Sequence, residues 1–159
     1  MKVPDYCLKK VLILGCGNML LGDDGFGPAV VEKLRDYNLP SDACALDVGT
    51  GVRSIIFNLL LTEKRPEKVI IIDSIDLGKT PGEIFEISIE EIQESKIDDF
   101  NFHLPLTSNL LRELKGCGVE VIIIACQVED IPDVVKIGLS KPVLDAIPKA
   151  CMKVMQHIS

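Results

Sequence analysis

Apolar residues along the chain follow two alternating patterns, one typical of buried strands and the other of amphipathic helices. Short apolar runs predict strands at 11–14, 44–48, 68–73 and 119–125, and a segment of alternating acidic and apolar residues predicts one at 83–87. Helical spacing and capping residues predict helices at 26–34, 52–61, 88–94, 107–115 and 140–156. This alternation predicts a three-layer α/β/α sandwich with a five-stranded, mostly parallel sheet, in a single domain spanning residues 1–159.

The predicted strand at 83–87 is expected to differ from the other four in direction and position. The segment before it contains Pro81-Gly82, a strong turn signal, and is too short to hold a crossover helix. We therefore expect this strand to run antiparallel. Its two glutamates alternate with apolar residues, which favours an edge position. The four consecutive β-branched residues at 69–72 instead favour the centre of the sheet.

The charge balance narrows the range of partners. The chain has 159 residues with 17 basic and 24 acidic side chains, which gives a formal net charge of −7. Nucleic acids and anionic membranes are recognised through basic surfaces, so neither is expected as a partner. The first ten residues lack the apolar stretch of a signal peptide, and no apolar run is long enough to span a bilayer. We expect a cytoplasmic protein.

Six cysteines are spread along the chain without a CxxC pair. Their spacing resembles neither a zinc site nor the disulfide framework of a small secreted domain. Small buried thiols in a reducing compartment are the simplest interpretation of these residues. They are Cys7, Cys16, Cys44, Cys117, Cys126 and Cys151.

The glycine-rich segment between the first predicted strand and the first predicted helix is the most informative part of the sequence. A G-x-G sequence at residues 15–17 follows the strand, as in a dinucleotide-binding fingerprint. That fingerprint needs a third glycine where this chain has Leu20, and Asp23 and Asp24 would repel a pyrophosphate. A flavodoxin-like nucleotide-binding module is therefore the less favoured alternative.

Three acidic residues occur where predicted strands meet the loops that follow them, namely Asp24, Asp47 and Asp73. Ligands of open α/β sheets collect at the carboxyl ends of the strands, and His103 lies in a loop that can fold over this edge. Two carboxylates and an imidazole suit a divalent metal such as nickel or zinc. Each residue also has a structural alternative: a charge at a helix N-terminus for Asp24, a loop cap for Asp73, and ordinary packing for His103.

Residues 15–27 match the pattern GxGNxLxxDDGxG, which resembles the opening motif of the hydrogenase maturation proteases. Residues 47–51 resemble the DGGTxG segment of this family, with Val48 where a glycine is common. Residues 127–140 are similar to its closing motif, in which a polar loop leads to Gly-Leu-Ser and a final helix. The resemblance therefore extends over nearly the whole chain, in the right order.

This resemblance implies a function and a set of site residues. Members of the family remove a C-terminal tail from the large subunit of a nickel–iron hydrogenase once nickel is in place. An endopeptidase that acts on such a precursor is therefore expected. Matching positions imply that Asp24, Asp73 and His103 contact the nickel. The cleft that receives the substrate is implied to include Asp47, Gly49 and Thr50.

Two departures from the family pattern concern the implied ligands. Relatives often have Glu where this chain has Asp24, and the shorter side chain reduces the reach of the ligand. The match over residues 95–102, immediately before His103, is weak. The residues of the opening motif resemble those of an archaeal branch of the family that serves the deazaflavin-reducing hydrogenase.

The sequence leaves the catalytic group open. No serine occupies a nucleophile elbow, and no HExxH motif is present. Nickel carried by the substrate can polarise the scissile carbonyl or activate a water, and Asp24 or Asp73 can instead serve as the base. Two oxygens and one nitrogen do not by themselves favour nickel, so other divalent ions are expected to occupy the isolated site as readily. A nickel-checking chaperone of the same fold, without cleavage, is the alternative function.

Overall fold

The computed structural model describes residues 4–94 and 104–158, so His103 lies outside the described residues. Within these ranges the strands are β1 (Val11–Cys16), β2 (Ala43–Gly49), β3 (Lys68–Ile75), β4 (Ile84–Ile87) and β5 (Glu120–Gln127). The helices are α1 (Phe26–Leu34), α2 (Val52–Leu61), α3 (Ile89–Glu94), α4 (Leu104–Gly116) and α5 (Lys141–Ile158). None of these helices is both long enough and apolar enough to cross a membrane.

The five strands form one sheet in the order β2-β1-β3-β5-β4. All neighbouring pairs are parallel except β4 with β5, which is antiparallel. The predicted mostly parallel sheet with one antiparallel strand at its edge is therefore confirmed. The central position of β3 agrees with its apolar run, because residues 69–72 are buried on both faces of the sheet.

Helices cover both faces of the sheet, and successive residues of each central strand point into different layers. One layer packs α1 and α5 against side chains such as Ile13, Ile70 and Ile72. The other packs α2 and α4 against side chains such as Leu14 and Ile71. This arrangement is the predicted three-layer sandwich.

The observed helices and strands differ from the predicted ones mainly at the polar end of the sheet. Helices α1 and α2 begin and end at the predicted residues. Strand β3 continues two residues beyond Asp73, which we expected to end it, and Asp73 pairs with Ala125 of β5. Strand β1 pairs with β3 only as far as Gly15 opposite Ile72. Polar residues therefore remain within the β3–β5 ladder after β1 has ended.

Helix α1 begins so close to the sheet that its second residue, Gly27, has no room for a side chain. A Cβ atom at Gly27 would lie 2.3 Å from the carbonyl oxygen of Cys16 and 2.6 Å from that of Ile72. Both atoms belong to the backbone of paired strands and cannot rotate away. Glycine at this position therefore sets the distance between the first turn of α1 and the ends of β1 and β3.

We predict that Gly27→Ala lowers the free energy of unfolding by about 3 kcal/mol, because the added methyl group must displace strand backbone. Gly116→Ala is the matched control, since Gly116 lies at the end of α4 with nothing within 4 Å of the added atom. That control should leave stability unchanged or raise it by up to about 1 kcal/mol. Urea denaturation of both variants measures the difference, and equal effects would contradict the close-packing argument.

Candidate active site

Asp24 is buried in a 3₁₀ turn, Gly22–Gly25, between β1 and α1. One carboxylate oxygen, Oδ2, accepts a hydrogen bond from the backbone N–H of Asn18 at 2.9 Å. The other, Oδ1, accepts one from the hydroxyl of Ser74 at 3.0 Å. The first bond folds the glycine-rich loop back on itself, and the second joins the loop to β3. The carboxylate of Asp24 therefore faces the carboxyl end of the central strand.

The fold of this loop requires glycine at position 17. Gly17 has a φ angle of 133°, a backbone conformation that residues with a side chain rarely adopt. A Cβ atom at this position would also overlap the carbonyl oxygen of Asp24. Its backbone N–H donates to the carbonyl of Gly49 at 2.8 Å. This single residue therefore holds the β1 loop against both the turn of Asp24 and the end of β2.

Asp73 lies at the same edge of the sheet, fully buried within β3. Its Oδ1 accepts a hydrogen bond from the backbone N–H of Ser74 at 2.8 Å. Because the hydroxyl of Ser74 also binds Asp24, two acidic residues 49 positions apart in the chain share one intermediate residue. The pairing of β1 with β3 stops at Gly15 and Ile72. Asp73 therefore lies one residue beyond the last pair, beside the glycine-rich loop.

The thiol of Cys16 is buried at this edge of the sheet, where the charges of the candidate acids affect its pKa. Burial raises the pKa of Cys16 well above its usual value, and the charges of Asp73, Asp24 and Asp47 raise it further. A carboxylate affects the pKa of a thiol in this way only when it lies nearby. All three aspartates that the sequence singled out therefore act on this one buried thiol. The thiol itself stays protonated and is unsuited to act as a nucleophile.

A groove of about 330 Å³ opens beside these residues, at the ends of β1 and β2. Its lining consists of Gly17, Asn18, Met19, Asp47, Gly49 and Thr50. Asp47 is exposed, and its Oδ1 accepts a hydrogen bond from the backbone N–H of Gly49 at 3.0 Å. The three residues that the family resemblance assigned to the cleft therefore line one groove together.

The connections between strands explain why a crevice is expected at this edge of the sheet. The β1–β2 connection contains α1 on one face of the sheet, and the β2–β3 connection contains α2 on the other. In the order β2-β1-β3-β5-β4, the chain continues from β1 to a strand on one side and from β3 to strands on the other, so β1 and β3 form the switch point, outside whose carboxyl ends a crevice opens. Asp24 follows β1 and Asp73 lies near the end of β3, so both buried carboxylates belong to this switch point.

Asp23, for which the sequence pattern predicts no role, is buried and joins two loops. Its Oδ1 accepts a hydrogen bond from the backbone N–H of Ser140 at 2.7 Å. Its Oδ2 accepts from the backbone N–H of Glu129 at 2.8 Å and from the hydroxyl of Ser140 at 2.9 Å. The hydroxyl of Ser140, which immediately precedes α5, therefore binds this carboxylate. Asp23 also raises the pKa of Cys126, which burial and this charge bring to about 12.

Gln127 is a second residue whose role the sequence did not indicate. Its Oε1 accepts hydrogen bonds from the backbone N–H groups of Leu77 and Lys79, at 2.8 and 3.2 Å. Its Nε2 donates to Asp76 Oδ1 at 3.0 Å and to the carbonyl of Val128 at 2.9 Å. One buried amide therefore fixes the loop that follows β3. A polar residue at the end of an apolar strand was the only sequence signal for it.

The donor set at the crevice consists of carboxylate oxygens. Within residues 4–94 and 104–158, no group of three His, Cys, Asp or Glu side chains is arranged to hold a metal ion. Asp24 and Asp73 supply two oxygen donors, which suit a borderline divalent ion when further ligands come from elsewhere. The contribution of His103, outside the described residues, stays a prediction.

Comparisons with protein families, sequences and solved structures all find similar proteins with hydrogenase-related names. The family model for hydrogenase maturation protease matches residues 28–157. A Methanocaldococcus jannaschii protein, provisionally named a hydrogenase maturation protease, is 37% identical over 152 residues, with 94% of this chain and 97% of that protein covered. Coenzyme F420 hydrogenase subunit delta of Methanothermobacter thermautotrophicus is 33% identical over 155 residues, with 94% of each covered. The solution structure of the Escherichia coli endopeptidase HycI is similar with a TM-score of 0.75 at 28% identity, covering 91% of this chain and 88% of that chain.

We predict that Asp23→Asn lowers the free energy of unfolding by about 2–3 kcal/mol. The amide group can accept on one side only, so at least one buried N–H donor loses its acceptor. Ser140→Ala removes a single hydroxyl donor and should cost about 1 kcal/mol. Asp130→Asn, at an exposed position on the neighbouring loop, should have no measurable effect. Urea denaturation that placed Asp23→Asn at or below Ser140→Ala would contradict the anchoring role.

Proposed function

We propose that this chain, which belongs to the hydrogenase maturation protease family, removes the C-terminal tail of a nickel–iron hydrogenase large-subunit precursor after nickel insertion. Its predicted class, a peptidase, agrees with the names of its relatives. The observation that carries the proposal is the link between Asp24 and Asp73 through Ser74, at the carboxyl edge of the sheet.

The nickel in this proposal is part of the substrate. Cysteines of the precursor hold it, and the carboxylates of Asp24 and Asp73 approach it from the crevice, with His103 as the nitrogen ligand that the family resemblance implies. A carboxylate oxygen that already accepts one hydrogen bond retains a second lone pair for a metal. The bonds that Asp24 accepts from Asn18 and Ser74 orient this carboxylate.

Selectivity for the nickel-loaded precursor then comes from the substrate rather than from the ligand set of the enzyme. Carboxylates and an imidazole bind several divalent ions, so the crevice alone does not select nickel. Contact with a metal already held by the precursor also fixes the adjacent peptide bond in place. Positioning of this kind can contribute up to about 7–11 kcal/mol to lowering a reaction barrier.

Hydrolysis adds water to the scissile carbonyl carbon, breaks the carbon–nitrogen bond and delivers a proton to the departing amine. Nickel in the substrate serves as a Lewis acid on the carbonyl oxygen in one route. In the other, Asp24 or Asp73 accepts the proton of the attacking water. The thiol of Cys16 takes part in neither route, because burial and three carboxylates keep it protonated.

The similarity to coenzyme F420 hydrogenase subunit delta supports a more specific substrate. We propose that the precursor is the large subunit of a deazaflavin-reducing hydrogenase. The opening motif, GCGNMLLGDDGFGP, supports the same choice. A cytoplasmic site of action stays a prediction.

We predict that the purified protein shortens a nickel-loaded large-subunit precursor and leaves the same precursor uncut when it is metal-free. Without nickel, nothing positions the scissile bond beside Asp24 and Asp73. Mass spectrometry of the released tail measures the reaction. Equal cleavage of both precursors would contradict metal recognition. Binding without any cleavage would instead favour a nickel-checking chaperone.

We also predict that Asp73→Asn slows processing of the nickel-loaded precursor by about a hundredfold or more, because it removes a charged ligand while keeping the side-chain shape. Asp145→Asn is the matched control, since Asp145 is an acid on α5 whose ion pair with Lys141 is exposed to solvent. Circular dichroism and the urea midpoint establish that both variants are folded. Normal processing by a folded Asp73→Asn protein would show that Asp73 is a loop cap.

A further inference from the structure

Five large apolar side chains are exposed on two adjacent loops near the crevice. Met19 and Leu20 belong to the glycine-rich loop, with exposed fractions of 58% and 49%. Val134, Val135 and Ile137 belong to the loop between β5 and α5, with exposed fractions of 70%, 68% and 78%. We call these five residues the docking rim. Exposed apolar residues concentrated in this way are typical of protein interaction sites.

The two loops that carry the docking rim are held together by backbone hydrogen bonds. The N–H of Lys136 donates to the carbonyl of Leu20, and the N–H of Gly22 donates to the carbonyl of Lys136, both at 2.8 Å. These bonds form an isolated parallel bridge between Leu21 and Lys136. Asp23 adds its three bonds to Glu129 and Ser140 next to this bridge. The rim is therefore fixed before any partner binds, which reduces the entropy cost of association.

The docking rim is continuous with the groove described above. Met19 belongs to both, because its side chain lines the groove together with Asp47 and Thr50. A polypeptide tail that occupies the groove therefore brings the body from which it extends directly over the rim. The groove alone, at about 330 Å³, holds only a short stretch of chain. Stable protein complexes bury about 800 Å² on each partner, so contacts outside the groove are needed.

We propose that the docking rim binds an apolar surface on the folded body of the large-subunit precursor, next to the tail that is cleaved. This inference rests on the proposed function and adds the surface that recognises the partner. A second copy of this chain fits the rim less well. A symmetric contact would set the rim against itself and bring the exposed acids Asp130 and Asp133 of both copies into one interface.

The test compares two double variants on the nickel-loaded precursor. Val135→Ser with Ile137→Ser removes apolar surface from the rim without touching the crevice. Leu61→Ser with Met152→Ser removes comparable exposed surface from α2 and α5. We expect the rim variant to raise KM and the dissociation constant at least tenfold while kcat stays within twofold of the original protein. The control should leave all three within twofold.

Each alternative outcome of this experiment has a distinct meaning. Unchanged KM and dissociation constant in the folded rim variant would overturn the docking proposal while leaving the proposed function intact. Binding that depends on the rim, without cleavage by the original protein, would overturn the proposed function and support docking. No binding of the precursor by the original protein would overturn docking.

A dimer of the original protein that the rim variant converts to monomer, by sedimentation, would assign the rim to a second copy and overturn the proposal. Ile137→Ser alone replaces the double variant if the latter is unfolded by circular dichroism.

Discussion

The close approach of the first turn of α1 to the ends of β1 and β3 is the constraint on which the site depends. Gly27 permits this approach, because its missing side chain leaves room for the backbones of Cys16 and Ile72. The turn before α1 then lies near enough to β3 for Asp24 to accept a hydrogen bond from the hydroxyl of Ser74. A larger separation would leave the two acidic residues on different elements without a shared contact.

Two consecutive aspartates in the glycine-rich loop have different roles. Asp24 accepts a hydrogen bond from Ser74 of β3, whereas Asp23 accepts hydrogen bonds from Glu129 and Ser140 in the loop before α5. Because both carboxylates belong to one short turn, the bonds of Asp23 also restrain the position of Asp24. The anchor that joins the two loops thus supports both the crevice and the docking rim beside it.

Much of the fold could be predicted from the sequence, because apolar periodicity depends on neighbouring residues. The bounds of α1 and α2, the central position of β3 and the antiparallel direction of β4 all follow from local patterns. The tasks of Asp23 and Gln127 could not be predicted in this way. The partners of Asp23 lie 106 and 117 residues away, and no periodic pattern encodes a hydrogen bond to a distant backbone group. The polarity of Asp73 predicts the end of its strand, but the strand continues because β5 still pairs with it.

The central claim is that carboxylates of this chain contact the nickel held by the precursor, and nickel X-ray absorption measures that contact directly. The spectrum of the nickel-loaded precursor is compared before and after mixing with the protein and rapid freezing. We predict that oxygen and nitrogen atoms join the sulfur ligands of the nickel, and that the Asp73→Asn variant adds fewer of these oxygen and nitrogen ligands. An unchanged nickel environment in a complex whose formation is demonstrated independently would contradict it.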